Sequence, residues 1–177
     1  HFNGLQGMAR LSVDALSTHP YVSKSTAIRM YTAFQIGRRS FMKRYAETIV
    51  DTPEKAFEIF WPILANKADE ELVAMFLTKG KKLIKLVRLT KGCQTYTIVD
   101  PKQIFHHALN CRADLVIPAH NHPSGNATPS KQDLHITKQV FEVGKLLALP
   151  LMDHIIIGND CFYSFSKAGL LGDFANG

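Results

Sequence analysis

The amino-acid sequence predicts an α/β fold, a sandwich of helices on a mixed sheet, preceded by a small helical segment. Helical patterns dominate residues 1–45, and short apolar runs alternate with helical patterns from residue 70 onward. Glycine-bearing polar turns separate neighbouring apolar runs, as in hairpins. The order after residue 50 is α, β, β, β, α, β, α, β, β, which is typical of an α/β sandwich. We therefore divide the chain into a helical segment, 1–45, and a larger domain, 50–172.

The helical segment is predicted to contain two or three helices around a tight turn, with a short helix pattern over 3–18 and a longer helix from Lys24 to about Tyr45. Pro20 interrupts the pattern between them, and Ser23 is a typical N-cap for the second helix. In the larger domain we predict helices at 53–66, 101–110 and 131–147, and strands at 72–77, 83–89, 96–99, 115–119, 155–157 and 162–165.

The composition is that of a globular protein in a reducing compartment. Of 177 residues, 46% are hydrophobic and 20% are charged. No apolar run approaches the roughly 20 residues that span a bilayer, and the start lacks the pattern of a signal peptide. The chain has only three cysteines, an odd number, and they are widely spaced, which argues against a disulfide framework. We expect a cytoplasmic protein without membrane contact; the start at His1 rather than Met leaves open that a segment precedes it.

The net charge of +6 is concentrated at one end of the chain. Residues 46–177 contain equal numbers of basic and acidic residues, so the whole excess lies in residues 1–45. The basic residues there are Arg10, Lys24, Arg29, Arg38, Arg39, Lys43 and Arg44, against the single acid Asp14. Such a segment suggests a polyanionic partner, most simply nucleic acid. The alternative is a solvated helical face that keeps the protein soluble.

The most informative motif lies between the fourth predicted strand and the helix that follows it. His120 and His122 stand two residues apart at the strand end, so their side chains point to the same face. A loop rich in Pro and Gly leads to Ser130, the predicted N-cap, and Asp133 lies on the first turn of that helix. Two imidazoles and one carboxylate form a three-ligand zinc set with a fourth position for water. The sequence therefore predicts one zinc ion here, with a bound water whose pKa falls toward about 7.

A zinc hydrolase also needs a group that moves protons. Glu70 and Glu71 both stand at the start of the first predicted strand, and either can face the zinc-bound water. Ser130 can donate a hydrogen bond to the oxyanion that develops on the substrate. The competing interpretation is a capped loop with incidental histidines, because Ser130 and Asp133 also form a helix-start pair.

At these residues the sequence resembles the RadC family, bacterial members of the JAB/MPN group of metalloproteins. The JAMM motif of that group is an upstream Glu, then His-x-His, seven residues, Ser, two residues and Asp. His120, His122, Ser130 and Asp133 match it position for position. The resemblance covers about residues 50–171 and includes the phrases His120-Asn121-His122-Pro123-Ser124-Gly125, Leu151-Met152-Asp153-His154, Tyr163-Ser164-Phe165 and Gly169-Leu170-Leu171.

The resemblance implies the JAB/MPN, cytidine-deaminase-like sandwich and a role for each matching residue. His120, His122 and Asp133 would bind zinc, Glu70 would be the general acid/base, and Ser130 would support the oxyanion. Relatives in the group cleave peptide or isopeptide bonds, whereas RadC proteins are labelled DNA repair proteins. His154 recurs in the family, and we expect it to form hydrogen bonds near the site, either as a structural group or toward a metal ligand.

Residues 4–39 resemble the helix-hairpin-helix segment that precedes the metal domain in RadC. The family turn of Gly, a hydrophobic residue and Gly, whose amides hold a DNA phosphate, is replaced here by Pro20-Tyr21-Val22-Ser23. Backbone that lacks those glycines approaches a phosphate less easily. If this segment binds nucleic acid, we therefore expect Lys24, Arg29 and Arg38 to make the contacts.

Three functional hypotheses follow from the sequence. The first is a zinc-dependent hydrolase of peptide or isopeptide bonds with a peptide or protein substrate. The second is a nucleic-acid-binding module or metal-dependent nuclease. The third is a metal-stabilised interaction domain without catalysis, which ranks last because the complete ligand set is retained.

Overall fold

The computed structural model describes residues 4–9, 11–45, 48–65, 67–91 and 99–176, without the side chains at 4, 6, 38–45, 91 and 176. Contacts divide the chain into two compact units, residues 1–45 and 46–177. In the described part of the chain, no helix is both long enough and apolar enough to cross a membrane.

The described residues of the first unit form three helices, α1 (Gly4–Ala9), α2 (Val13–Ser17) and α3 (Lys24–Tyr45). These three agree with the predicted two or three helices, and the pattern over 3–18 is divided between α1 and α2 because a new helix begins after Ser12. The Ser12 side chain accepts a hydrogen bond from the Ala15 amide, so it caps a new helix instead of continuing the old one. Leu16 and Ala27 are fully buried where α2 packs against α3.

In the part of the second unit that the structure describes, the strands form a five-stranded mixed sheet with the order β2-β1-β3-β4-β5. Its elements are α4 (Pro53–Leu64), β1 (Glu71–Leu77), β2 (Leu83–Lys91), α5 (Pro101–Asn110), β3 (Leu115–Asn121), α6 (Lys131–Leu146), β4 (Ile155–Ile157), β5 (Phe162–Ser164) and α7 (Leu170–Asn176). Strands β3 and β4 run parallel, and every other neighbouring pair is antiparallel. The predicted α/β sandwich with a mixed sheet is confirmed.

Helices cover both faces of the sheet. All seven residues of β1 are buried, and alternate residues point to opposite faces. Leu72, Ala74 and Phe76 pack with α5 and α6, whereas α4 contacts β1, β3 and β4 outside that cluster. This arrangement explains why β1 is an unbroken apolar run rather than an alternating one. It also brings the start of α6 over the end of β3.

Some details of the second unit differ from the sequence prediction, and one predicted strand lies mostly outside the described residues. Strand β3 is two residues longer than predicted and includes His120. Helix α7 was not predicted. Most of the predicted strand at 96–99 lies outside the described residues, and Val99 itself is not in a strand.

Candidate metal centre

Three side chains from two elements converge at the carboxyl end of β3. His120 lies within β3, and His122 follows the strand, where its amide donates to the carbonyl of Ile157 at the end of β4. Asp133 lies on the first turn of α6. Among the described residues, these three are the one group of His, Cys, Asp and Glu side chains whose ligand atoms lie close enough together to hold a metal ion.

The distances between the three side chains fit one tetrahedral ion. The Nε2 atoms of His120 and His122 are 3.1 Å apart. Asp133 Oδ1 is 3.2 Å from the His120 nitrogen, and Oδ2 is 3.4 Å from the His122 nitrogen. A tetrahedral zinc ion with bonds of about 2.0–2.1 Å separates its ligand atoms by about 3.3–3.4 Å. The residues present therefore fit a zinc ion in both chemistry and spacing.

The tautomer of His122 is set by the loop that follows it. Nδ1 of His122 lies 2.7 Å from the carbonyl oxygen of Asn126, which can only accept, so Nδ1 carries the proton. In the neutral ring, Nε2 is then left with its lone pair directed at the other two ligands. That is the form of histidine that binds a metal.

His120 is supported by two buried polar residues instead. Its Nδ1 lies 3.0 Å from Nε2 of His154, and Nδ1 of His154 lies 2.7 Å from the hydroxyl of Thr137 on α6. The same hydroxyl donates to the main-chain carbonyl of Asp133. His154, expected from the sequence to lie near the site, thus contacts a candidate ligand directly, whereas nothing in the sequence pattern indicated Thr137.

The electrostatics of the three ligands favour a cation between them. The pKa of His122 is raised above its usual value, mainly by the hydrogen bond to Asp133 and in smaller part by the charge of Glu70. Burial raises the pKa of the Asp133 carboxyl, but the close approach of the two imidazoles outweighs burial, and the pKa falls well below its usual range. The carboxylate therefore stays charged and draws positive charge to the histidines. A proton and a metal ion compete for this position.

Ser130 orients the candidate ligand Asp133. The hydroxyl accepts from the Asp133 amide at 3.1 Å and donates to Asp133 Oδ2 at 2.6 Å, and the Ser130 amide donates to Oδ2 at 2.8 Å. These contacts form a reciprocal capping box at the start of α6. The capped-loop interpretation and the ligand interpretation are thus compatible. The predicted oxyanion role of Ser130 would require its proton to leave Asp133, and it stays a prediction.

The register of the sheet separates Glu70 from Glu71. Leu72 lies opposite His120 across the β1–β3 pair. Continuing this register by two residues brings Glu70 level with His122, on the same face as both histidines. Glu71 points to the other face, where its 6% exposed carboxylate pairs with Lys67 at 3.3 Å and Arg88 at 3.2 Å. Glu71 is therefore engaged away from the site. Half-buried Glu70 is the acid that the extended register aligns with the site, and its charge contributes to the raised pKa of His122.

Asn121, between the two histidines, holds the backbone on both sides of Glu70. Its Oδ1 accepts from the Glu71 amide at 2.9 Å, and its Nδ2 donates to the Asp69 carbonyl at 3.1 Å. The side chain is 3% exposed. The strand that contributes a candidate ligand thus also fixes the segment that carries Glu70.

The basic residues predicted to bind nucleic acid belong to the first unit. Lys24 and Arg29 are exposed on α3, and the side chain of Arg38 lies outside the described residues. Five helical positions separate Lys24 from Arg29, which is about 140° around the helix axis. These two residues therefore do not share one face of α3.

Comparison with known proteins identifies the family. A model of the RadC-like JAB domain matches residues 50–170. UPF0758 protein SH1266 of Staphylococcus haemolyticus is 31% identical over 169 residues, which cover 95% of this chain and 74% of that protein. UPF0758 protein tlr1707 of Thermosynechococcus vestitus is 33% identical over 166 residues, which cover 93% of this chain and 66% of that protein. The family resemblance inferred from the JAMM motif is confirmed, and the chain belongs to the family of RadC-like JAB domain proteins.

Proposed function

We propose that this chain is a zinc-dependent hydrolase of amide bonds, either peptide or isopeptide. The observation that carries the proposal is the convergence of two imidazole Nε2 atoms and one carboxylate at 3.1–3.4 Å in a chain of the RadC-like JAB family. His120, His122 and Asp133 would hold the metal. Zinc bound by two histidines and one carboxylate supplies Lewis acidity, which lowers the pKa of a bound water and polarises a substrate carbonyl.

Glu70 is proposed to move the protons of the reaction. Level with His122 and half-buried, it would accept a proton from the attacking water and pass it to the leaving amine. Asn121 would keep the carboxylate in place through its two backbone hydrogen bonds. Glu71 would take no part, because Lys67 and Arg88 hold its carboxylate on the opposite face of the sheet.

The test compares Glu70→Gln with its neighbour Glu71→Gln on the full chain. Zinc-loaded wild type is screened against fluorogenic peptides and isopeptide-linked substrates, and each variant is then assayed on the best substrate. Loss of a positioned general acid/base costs about 10²–10⁴-fold in rate, so Glu70→Gln should lose that much while keeping its zinc. Glu71→Gln should keep a rate close to that of wild type. Equal rates in wild type and Glu70→Gln would rule out the proposed role of Glu70, and a zinc-loaded wild type that cleaves no amide substrate would rule out the activity.

The second candidate is nucleic-acid binding by the first unit. The excess charge of residues 1–45 and the exposure of Lys24 and Arg29 favour it. Titration with single-stranded, duplex and branched DNA at two salt concentrations tests it, with Lys24→Gln/Arg29→Gln as the variant. A preference for one DNA structure that the double variant loses would support a specific role. Binding only at low salt without such a preference would reduce it to nonspecific charge attraction.

A further inference from the structure

A chain of buried hydrogen bonds connects two of the candidate ligands behind the metal centre. It runs from the main-chain carbonyl of Asp133 to the hydroxyl of Thr137, then to His154, and ends at Nδ1 of His120. Thr137 is fully buried, His154 is 1% exposed and His120 is 2% exposed. Water therefore has little access to these contacts, and the protein itself must satisfy each donor and acceptor.

The direction of each hydrogen bond follows from the one group that can only accept. The Asp133 carbonyl has no proton, so the Thr137 hydroxyl donates its single proton to it. That hydroxyl can then only accept from His154, which places a proton on Nδ1 of His154. Whether Nε2 of His154 carries a proton then determines whether Nδ1 of His120 donates or accepts in their hydrogen bond.

The surroundings of His154 keep its ring neutral. The ring stacks on Phe165 with centroids 5.1 Å apart, and no carboxylate in the described part of the chain lies within hydrogen-bonding distance of it. A buried imidazolium without a counter-ion is costly. Nε2 of His154 therefore has no proton and accepts one from Nδ1 of His120. His120 is left with a bare Nε2, the atom that faces His122 and Asp133.

We propose that Thr137 and His154 are positioning residues that fix the Nδ1-protonated tautomer of His120 and thereby set the affinity of this site for its metal. The two residues also connect the ligands mechanically, because Thr137 holds the backbone of Asp133 on α6 while His154 holds the ring of His120 on β3. This inference rests on the metal site of the proposed function and not on hydrolysis.

Removal of the Thr137 hydroxyl should change which ring nitrogen carries the proton in both His154 and His120. In Thr137→Val the Nδ1 proton of His154 has no acceptor, so the tautomer with a proton on Nε2 becomes favourable. His120 must then accept at Nδ1 and carry its own proton on Nε2, where the metal binds. Loss of such supporting hydrogen bonds typically weakens metal binding about 10–100-fold. Thr137→Ser keeps the hydroxyl and is the matched control.

Two measurements test the proposal on the full chain. The zinc dissociation constant is measured by competition with a chromophoric chelator for wild type, Thr137→Val and Thr137→Ser. Nitrogen-15 NMR of the imidazole rings then reports the tautomer of His120 in the metal-free proteins. We expect Nδ1-protonated His120 in wild type and Thr137→Ser, a shift toward Nε2 protonation in Thr137→Val, and a dissociation constant raised about 10–100-fold in Thr137→Val alone.

The outcomes distinguish this proposal from the proposed function. An unchanged zinc affinity in folded Thr137→Val, or equal losses in the Val and Ser variants, would overturn the positioning role even if the wild type hydrolyses amides. If Thr137→Val does not fold, the wild-type spectrum still decides, because Nε2-protonated His120 there would overturn the proposal. Failure of every hydrolysis assay would count against the proposed function alone.

Discussion

The side chain of Ser130 shows how a single residue serves both the fold and the candidate site. Its hydroxyl accepts from the Asp133 amide and donates to the Asp133 carboxylate. The first contact caps α6, and the second directs the carboxylate toward His120 and His122. A helix cap and a ligand orientation therefore depend on the same oxygen atom.

Replacement of Ser130 should show how much its hydroxyl contributes to the stability of the fold and how much to zinc binding. Ser130→Ala should lower the free energy of unfolding by about 1 kcal/mol, the usual cost of a lost N-cap, and should also weaken zinc binding. Ser130→Thr retains the hydroxyl and should preserve both. Chemical denaturation of the metal-free protein and a chelator competition measure the two quantities. A Ser130→Ala variant with wild-type zinc affinity would show that the carboxylate needs no help from the serine.

His154 gives the fold a specific dependence on pH. Burial, and then the charge of His120, lower the pKa of its imidazole well below the ordinary value of 6.5. Below pH 6.5 the imidazole binds a proton in the unfolded chain but not in the folded chain. The free energy of unfolding is therefore unaffected by this group above pH 6.5 and falls as the pH decreases toward the folded pKa. The raised pKa of His122 acts with the opposite sign and at higher pH.

We therefore predict that metal-free wild type loses stability between pH 6.5 and 5 by at most about 1.4 kcal/mol per pH unit from this group. His154→Gln should lose less over the same interval, because its side chain does not titrate. Urea denaturation at each pH measures the difference between the two proteins, both of which retain His122. Parallel pH profiles for the two proteins would show that His154 does not cause the dependence.

Site residues that lie at a fixed spacing in the sequence could be predicted. Residues that reach the site only through packing or strand pairing could not. His120, His122, Ser130 and Asp133 were found because the chain brings them together within 14 positions. Thr137 and Asn121 had no such signal, since each acts on a residue that reaches it through packing or strand pairing. Glu70 and Glu71 could not be separated from the residues alone because one step of register exchanges their faces.

Among the elements, the loop between β3 and α6 determines where His122 lies. Gly125 has a φ of +81° in this loop, and a Cβ there would lie 2.3–2.6 Å from the side chain of Asn159. The main-chain N–H of Asn159 donates to the Gly125 carbonyl, and this hydrogen bond holds the loop against the turn between β4 and β5. Glycine is therefore favoured by the left-handed backbone, and a Cβ here would also force the exposed Asn159 side chain to move.

A substitution of Gly125 should disturb the metal centre without touching a ligand. Gly125→Ala should cost about 1–2 kcal/mol from the left-handed backbone and should reduce zinc affinity by displacing His122. Gly172→Ala on α7, where a Cβ meets nothing within 4 Å, is the control and should keep wild-type affinity. Denaturation and chelator competition measure both effects. Equal values for Gly125→Ala and the control in both measurements would show that this loop does not position His122.

The elements with strong end signals were predicted closely. Helix α5 was placed at Pro101–Asn110 and α6 behind Ser130, because a Pro at the first turn and a side-chain cap mark helix starts. The break between α1 and α2 was not located, and the number of helices was left at two or three, because the apolar pattern continues across it and only Ser12 interrupts it. Helix α7 was missed because it is only seven residues long and contains Gly172.

For the second unit as a whole, a metal ion would join the sheet to the helical layer. Its candidate ligands come from the end of β3 and the start of α6, so binding requires both elements to be folded. A metal that binds only the folded state stabilises it, by about 2.7 kcal/mol when the free metal is at 100 times its dissociation constant. We expect zinc to raise the thermal unfolding midpoint of wild type and excess chelator to reverse the effect. Zinc should leave Asp133→Asn unchanged, and an equal zinc-dependent rise in that variant would place the stabilising site elsewhere.

The most direct test of the central claim is the metal content of the purified protein, measured by plasma mass spectrometry. Wild type should contain about one zinc per chain, as a single three-ligand site requires. His122→Ala should lose it, whereas His135→Ala should keep it, because His135 is exposed on α6 and contacts Gln139 rather than the site. No metal in wild type after zinc is offered at neutral pH, or full retention in His122→Ala, would contradict a metal centre at His120, His122 and Asp133.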